Sequence, residues 1–248
     1  MHFQDIELQK ATSNQSQSPF LPRWLTFGIA PFILALAVSM AVNAYLYKQA
    51  QSVTNFTSST AQKMGLSDLP GKVAPGFTLT DQNGKQVSLS VFRGKAVLLA
   101  FMDSKCTEVC PVLAQEFLLA NHDLGADASK VAFVGVNVNP MSRSVADVKN
   151  FTQMHGLSSL SNWYFLTGPV SALKSVWSAY GIEVILPKQG IQTVHAAYLY
   201  FIGREGHERY LASPQVYQRS NGTGYLPQVD LNLWGHGIAT YIERVLSA

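Results

Sequence analysis

One stretch of the chain, from Trp24 to Tyr47, contains no charged residue and is bounded by Arg23 and Lys48. At about 1.5 Å per residue, a helix of this length crosses the hydrocarbon core of a bilayer, which is about 30 Å thick. Aromatic residues stand at both ends of the stretch, as they do where membrane helices meet the lipid headgroups. The sequence therefore predicts a transmembrane helix over residues 24–47, behind a polar N-terminal segment of residues 1–23.

A cleaved signal peptide is the alternative for this stretch. Signal peptides have apolar regions of about 7 to 15 residues and lack a long polar lead, so we favour an uncleaved anchor. The positive charges that flank the stretch are balanced and leave its orientation open. Because a large C-terminal domain can be translocated regardless of loop charge, and a cysteine pair suits an oxidising compartment, we expect a single-pass cell-membrane protein with its C-terminal domain on the extracytoplasmic side.

The composition agrees with one domain and one membrane anchor. Only 13% of the 248 residues are charged, while 47% are hydrophobic, which is lean in charge for a soluble protein. The net charge of +3 arises from 18 basic and 15 acidic residues without a basic run, so nucleic acid is not expected as a partner. The length fits one well-buried domain with an appended segment.

The rest of the chain divides into a tether and a folded domain. Residues 48–72 are rich in Ser, Thr, Gln and Ala with little hydrophobic periodicity, which predicts a tether. The folded domain is expected over residues 73–248, and a loop is expected over residues 213–224. Strands that alternate with helices predict an α/β sheet covered on both sides. The predicted strands are residues 96–101, 131–138, 163–167 and 195–202, and the predicted helices are residues 111–120, 145–155, 170–180 and 229–247.

The only two cysteines, Cys106 and Cys110, lie between a buried strand and the helix that Pro111 helps to begin. Unpaired N–H groups at a helix N-terminus stabilise thiolates, and Lys105 adds a positive charge, so lowered thiol pKa values are expected. With three residues between them at this helix N-terminus, the two side chains are expected one helical turn apart on the same face. The pair is therefore placed to form a disulfide or to bind one metal ion.

Two thiolates favour Cu(I), zinc or an iron–sulfur cluster, and an added imidazole suits copper or zinc. A closed structural zinc site needs four ligands, and no fourth ligand is evident, which favours copper. His195 is the candidate imidazole because it begins an apolar strand, although a hydrogen-bonded core histidine is a common alternative. A further alternative is that Cys106 and Cys110 are simply small buried side chains.

Four motifs together resemble the Sco/SenC family of thioredoxin-fold copper proteins, over about Val73 to Ile202. They are Ala74-Pro-Gly-Phe-Thr-Leu79 with Asp81-Gln-Asn-Gly84, Phe92-Arg-Gly-Lys95, Cys106-Thr-Glu-Val-Cys110-Pro111 and Val194-His195. The resemblance implies a thioredoxin-like fold, with a central mixed sheet flanked by helices. It also implies that Cys106, Cys110 and His195 bind copper.

By this resemblance, the function would be that of an extracytoplasmic copper metallochaperone. It would help to load the copper A centre of cytochrome c oxidase, with the copper A subunit or another copper acceptor as partner and a thioredoxin-like protein as reductant. The alternative is a membrane-tethered thiol-disulfide oxidoreductase, in which Cys106 and Cys110 would be catalytic.

Differences from related families bear on this choice. Membrane-tethered reductases have two residues between their cysteines and a cis-proline before a later strand, where this chain has three residues and Val194-His195. Peroxiredoxins typically have Pro and Thr upstream of the reactive cysteine, whereas Asp103 stands three residues before Cys106. The Sco/SenC family usually has an acidic residue after the second buried strand, where this chain has Asn139.

Overall fold

The computed structural model describes residues 30–185 and 193–247. Within these ranges, only the backbone is described for residues 30 and 52–58. The predicted N-terminal segment and the first residues of the predicted membrane helix lie outside this part of the chain. The helices are α1 (Ala30–Lys63), α2 (Val109–Leu124), α3 (Val145–Met154), α4 (Val170–Ala179) and α5 (Gln228–Ser247). The strands are β1 (Ser67–Asp68), β2 (Thr78–Thr80), β3 (Gln86–Ser88), β4 (Ala96–Met102), β5 (Val131–Asn137), β6 (Trp163–Leu166), β7 (Val184–Ile185), β8 (Val194–His195), β9 (Leu199–Ile202), β10 (Glu208–Ala212), β11 (Tyr217–Gln218) and β12 (Gly224–Tyr225).

The chain forms two compact units, residues 1–54 and residues 55–248. In the first unit, the described part of α1 includes Pro31–Gln51, which is long and apolar enough to cross a membrane. The side chains of this span are exposed in the structure, as those of a helix destined for lipid would be.

A mixed sheet of six strands, in the order β1-β10-β9-β4-β5-β6, forms the centre of the second unit. Strands β4, β5 and β6 are parallel, whereas β9 is antiparallel to β4, and β10 to β9. Parallel neighbours need crossover connections, which α2 and α3 supply. The predicted α/β sheet is confirmed.

Both faces of this sheet are covered. All seven side chains of β4 are buried, and they alternate between two hydrophobic cores. Leu98 and Ala100 pack into the core that contains α2 and α5, whereas Val97 and Leu99 pack into the core that contains α4 and the β2–β3 hairpin. The carboxyl end of β4 is therefore held from both sides, and the cysteine loop begins there.

The predicted boundary at residue 73 is wrong, because the folded unit begins earlier. Helix α1 continues to Lys63, and β1 pairs with β10. Thr60 and Met64 are buried against Gly237 of α5, where a Cβ atom would lie 2.5 Å from the Met64 sulfur. The end of the predicted tether therefore packs into a groove that only a glycine on α5 leaves open.

Two other predictions need correction. His195 does not begin the strand that enters the sheet: it belongs to β8, which pairs with β7 in a separate two-stranded ladder, and residues 196–198 separate it from β9. The predicted loop over residues 213–224 contains β11 and leads into β12, which form a hairpin.

Candidate copper and dithiol site

The two cysteines lie immediately after the carboxyl end of β4. Helix α2 begins at Val109, so Cys110 is in its first turn, while Cys106 lies in the preceding loop. The prediction of two cysteines on one helical face is therefore wrong for Cys106. The loop folds back instead, so that the backbone N–H of Glu108 donates to Cys106 Sγ at 3.4 Å and the two thiols lie close enough to interact.

The two thiols are free and differ in burial and in acidity. Cys110 is 1% exposed, whereas Cys106 is half-buried. The hydrogen bond from Cys110 is the largest cause that lowers the pKa of Cys106, to about 7, and backbone N–H groups at the start of α2 lower it further against the effect of burial. The same bond and complete burial raise the pKa of Cys110. The expectation of a lowered thiol pKa is confirmed for Cys106 and is wrong for Cys110.

Lys105 does not act as the predicted neighbour of the thiols. Its ammonium group pairs with Asp147 of α3, with Nζ and Oδ1 3.0 Å apart. It is not among the causes of either cysteine's pKa shift. The acidity of Cys106 therefore comes from the Cys110 thiol and from backbone N–H groups at the start of α2.

Asp103 lies below this loop and is 1% exposed. Its Oδ1 accepts hydrogen bonds from the Lys105 backbone N–H at 2.7 Å and from Asn139 Nδ2 at 2.9 Å. Its Oδ2 accepts from the backbone N–H of Thr193 at 2.8 Å and from the Thr193 hydroxyl at 3.0 Å. Asn139, where the family usually has an acid, thus contacts a carboxylate supplied by the cysteine loop.

The turn after β5 supports the cysteine loop from below. The Ser104 hydroxyl donates to the Ser142 carbonyl at 2.8 Å, and Asn137 Nδ2 donates to the same oxygen at 2.8 Å. Asn139 Oδ1 accepts from the backbone of the same turn, at Met141 and Ser142. These buried amides and this hydroxyl are hydrogen-bonded to backbone groups of the turn, which ties the cysteine loop to it.

His195 ends β8, two residues after Thr193, which is hydrogen-bonded to Asp103. Its Nδ1 lies 3.0 Å from the Ala196 carbonyl oxygen, which can only accept, so Nδ1 carries the proton and Nε2 presents a lone pair. Burial lowers the pKa of His195, which keeps the imidazole neutral and able to bind a metal. Among residues 30–185 and 193–247, however, no three His, Cys, Asp or Glu side chains are grouped so as to hold a metal ion. The structure therefore brings Cys106 and Cys110 together, and His195 does not complete a three-ligand group with them.

The β11–β12 hairpin covers the other side of the cysteine loop. The Gly224 N–H donates to the Thr107 carbonyl at 3.1 Å, and a Cβ atom at Gly224 would lie 2.2 Å from the Glu108 carbonyl oxygen. A cleft of about 580 Å³ opens beside Cys106 between this hairpin and α3, with Met154 and His155 in its lining. A partner can reach Cys106 through this cleft.

Sequence reasoning missed two contributors to this arrangement. Thr193 carried no motif, and its contact with Asp103 joins positions 90 residues apart in the chain. The hairpin residue Gly224 gave only a turn signal. The local role of Asp103 was predictable, since an aspartate after a strand often accepts a hydrogen bond from the backbone N–H two residues later.

A family model described as SCO1/SenC matches residues 67–220. The SCO1 protein homolog of Bacillus subtilis (strain 168) is 27% identical over 132 residues, covering 52% of this chain and 68% of that protein. A candidate peroxiredoxin of Mycobacterium tuberculosis (strain CDC 1551 / Oshkosh) is 31% identical over 125 residues, covering 49% of this chain and 73% of that protein.

A solved structure of Bradyrhizobium japonicum ScoI with copper bound superposes with a TM-score of 0.54 at 25% identity, covering 70% of this chain and 99% of that one. This similarity confirms the predicted thioredoxin-like fold. Since the family model covers more than half of the sequence, the chain belongs to the SCO1/SenC family.

Proposed function

We propose that this chain binds copper through Cys106, Cys110 and His195 and transfers it to an acceptor protein outside the cytoplasmic membrane. The observation that carries the proposal is the pair of free, hydrogen-bonded thiols at the end of β4, of which Cys106 has a pKa of about 7. Membership of the SCO1/SenC family and the copper-bound relative support copper as the cargo.

The donor atoms suit Cu(I). Cys106 is about half thiolate at neutral pH, whereas Cys110 holds its proton and releases it when a metal binds. Thiolate sulfur prefers soft Cu(I), and the neutral imidazole of His195 offers a third donor at Nε2. In this proposal, the segment that carries His195 moves towards the cysteines when copper binds, which completes a ligand group that the described residues do not form by themselves.

Transfer would proceed by ligand exchange, in which the acceptor's thiolates replace Cys106 and Cys110 one at a time. The cleft beside Cys106 gives such a partner access. The family resemblance favours the copper A subunit of cytochrome c oxidase as acceptor, with another copper acceptor as the alternative. An oxidised cysteine pair would first need two electrons from a thioredoxin-like reductant.

The test uses the full chain in detergent, with its cysteines reduced and Cu(I) supplied against a competing chelator. We expect one copper per chain, and weaker copper binding in His195→Ala. The control is His122→Ala, which removes an exposed histidine on α2 and should leave affinity unchanged. A wild-type chain that binds no copper, or full affinity in His195→Ala, would contradict the proposal.

A thiol-disulfide oxidoreductase is the second candidate. The observation that favours it is the asymmetry of the pair, with an accessible thiol of pKa about 7 next to a buried thiol of raised pKa. Such a pair suits attack by Cys106 and resolution by Cys110. If this is the function, His195→Ala will retain the wild-type rate of disulfide exchange. The wild type and His195→Ala will then also bind copper with equal affinity.

A further inference from the structure

The carboxylate of Asp103 joins three segments that lie far apart in the sequence. They are its own cysteine loop, the turn after β5 through Asn139, and the segment of His195 through Thr193. Each carboxylate oxygen accepts two hydrogen bonds, and the residue is 1% exposed. Hydrogen bonds to an ionised acceptor are about twice as strong as neutral ones.

A comparison with Asp81 separates this arrangement from ordinary loop capping. Asp81 is also buried, and its Oδ1 accepts from the backbone N–H groups of Asn83 and Lys85 in the β2–β3 turn. Asp103 makes the same kind of local bond with one oxygen, to the Lys105 N–H. Its second oxygen accepts two hydrogen bonds from Thr193, which lies two residues before His195.

We infer that Asp103 is the positioning residue that keeps the His195 segment beside the cysteine pair, so that the imidazole can join the copper site. This inference rests on the proposed function and adds a residue to it. Thr193 is tied to the start of the cysteine loop, and only Val194 lies between it and His195. A movement of His195 towards the thiols can therefore pivot at Thr193, with the rest of the sheet in place.

Asp103→Asn tests this directly, because an amide has one acceptor oxygen where the carboxylate has two. The amide should turn its NH2 group towards Thr193, because the Thr193 hydroxyl can accept a hydrogen bond whereas the Lys105 N–H and Asn139 Nδ2 can only donate. The backbone N–H of Thr193 is then left without its acceptor. Thr193→Val removes only the hydroxyl bond and serves as a milder second variant should Asp103→Asn fold poorly. Asp81→Asn is the matched control, since it alters a buried aspartate away from the site.

The first readout needs no metal. Hydrogen exchange of the Thr193 amide should be about tenfold faster or more in Asp103→Asn, in keeping with loss of a charge-assisted hydrogen bond. Backbone amides of β4 and β5 should exchange at the same rate in Asp103→Asn as in the wild type and in the control Asp81→Asn. A Thr193 amide that exchanges no faster in Asp103→Asn than in Asp81→Asn would overturn the inference.

The second readout is Cu(I) affinity, measured in two backgrounds. Loss of a residue that orients a metal ligand typically lowers affinity about 10- to 100-fold, and we expect such a loss for Asp103→Asn in the wild-type background. In the His195→Ala background the same substitution should have no further effect. An equal loss in both backgrounds would overturn the positioning role. If the wild type binds no copper, the proposed function fails, and the exchange rate at Thr193 alone decides the role of Asp103.

Discussion

The cysteine loop and the His195 segment differ in how firmly the fold holds them. The loop follows the central strand, which is buried on both faces, and two hydrogen bonds tie it to the turn after β5: Ser104 donates to the Ser142 carbonyl, and Asn139 donates to Asp103. The His195 segment pairs with two residues of β7 and is tied to the site through Thr193. The cysteine pair is therefore held by the buried centre of the domain, while the imidazole is carried by a segment with fewer contacts.

This difference suggests how the site can both hold and release copper. A preformed pair of thiols captures a soft ion without reorganisation of the loop, and a third donor on a loosely held segment can join or leave afterwards. Substitutions that change one region at a time test whether the cysteine loop is held more firmly than the His195 segment.

The largest effect is expected for Cys110→Ala, which leaves the loop but removes the hydrogen bond that most lowers the pKa of Cys106. That pKa should rise from about 7 towards the ordinary value of 9.0. At pH 7 the thiolate fraction, and with it the rate of alkylation by iodoacetamide, should fall by roughly tenfold or more. The measurement is the pH profile of alkylation.

In the wild type, this profile should rise through pH 7 and level off above about pH 8, because the thiolate is the reactive form. His195→Ala serves as the control and should keep that profile. An unchanged profile in Cys110→Ala would show that the loop, and not the paired thiol, sets the acidity of Cys106.

Gly224→Ala should disturb the cysteine loop from the hairpin side. The added Cβ would meet the Glu108 carbonyl oxygen at 2.2 Å, so one backbone has to shift. Overpacking of this kind typically costs about 1–3 kcal/mol, which urea denaturation can measure. Gly76→Ala is the matched control, since nothing lies within 4 Å of a Cβ there. Equal stabilities for the two variants would mean that the hairpin does not hold the loop.

A smaller effect, of opposite sign, is expected for Glu116→Met on α2. Both carboxyl oxygens of Glu116 are buried without a hydrogen-bond partner among the described residues, and burial raises its pKa. Methionine removes this unsatisfied group and should stabilise the domain by about 1–2 kcal/mol at pH 8. The free energy of unfolding would be obtained from urea denaturation.

The gain from Glu116→Met should depend on pH. The folded state keeps a proton on Glu116 that the unfolded state loses above about pH 4.5, so the wild type's stability is complete below that pH and falls as the pH rises towards the raised pKa. The gain should therefore be smaller at pH 4 than at pH 8. Glu243→Met, on the exposed face of α5, is the control. A gain that does not change with pH would mean that Glu116 is already ionised in the folded state.

Much of the fold followed from local patterns, because β4 and β5 are continuous apolar runs and α5 has helical hydrophobic periodicity. The start of the folded unit did not, since the burial of Met64 depends on the absence of a side chain at Gly237. Local sequence also placed His195 at the start of β9, because apolar residues follow it, whereas pairing with β7 separates the two strands.

The candidate site was predictable to a similar degree. The spacing of Cys106 and Cys110 identified the dithiol, but their opposite pKa shifts arise from a bond between them and from different burial. The role of Asp103 depends on Thr193, and a contact across 90 residues of chain leaves no local signal.

X-ray absorption by the Cu(I)-loaded full chain tests most directly whether His195 joins the cysteine pair. We expect two sulfur ligands and one nitrogen ligand per copper in the wild type, and two sulfur ligands alone in His195→Ala. A wild-type spectrum with sulfur ligands alone, identical to that of His195→Ala, would contradict this expectation.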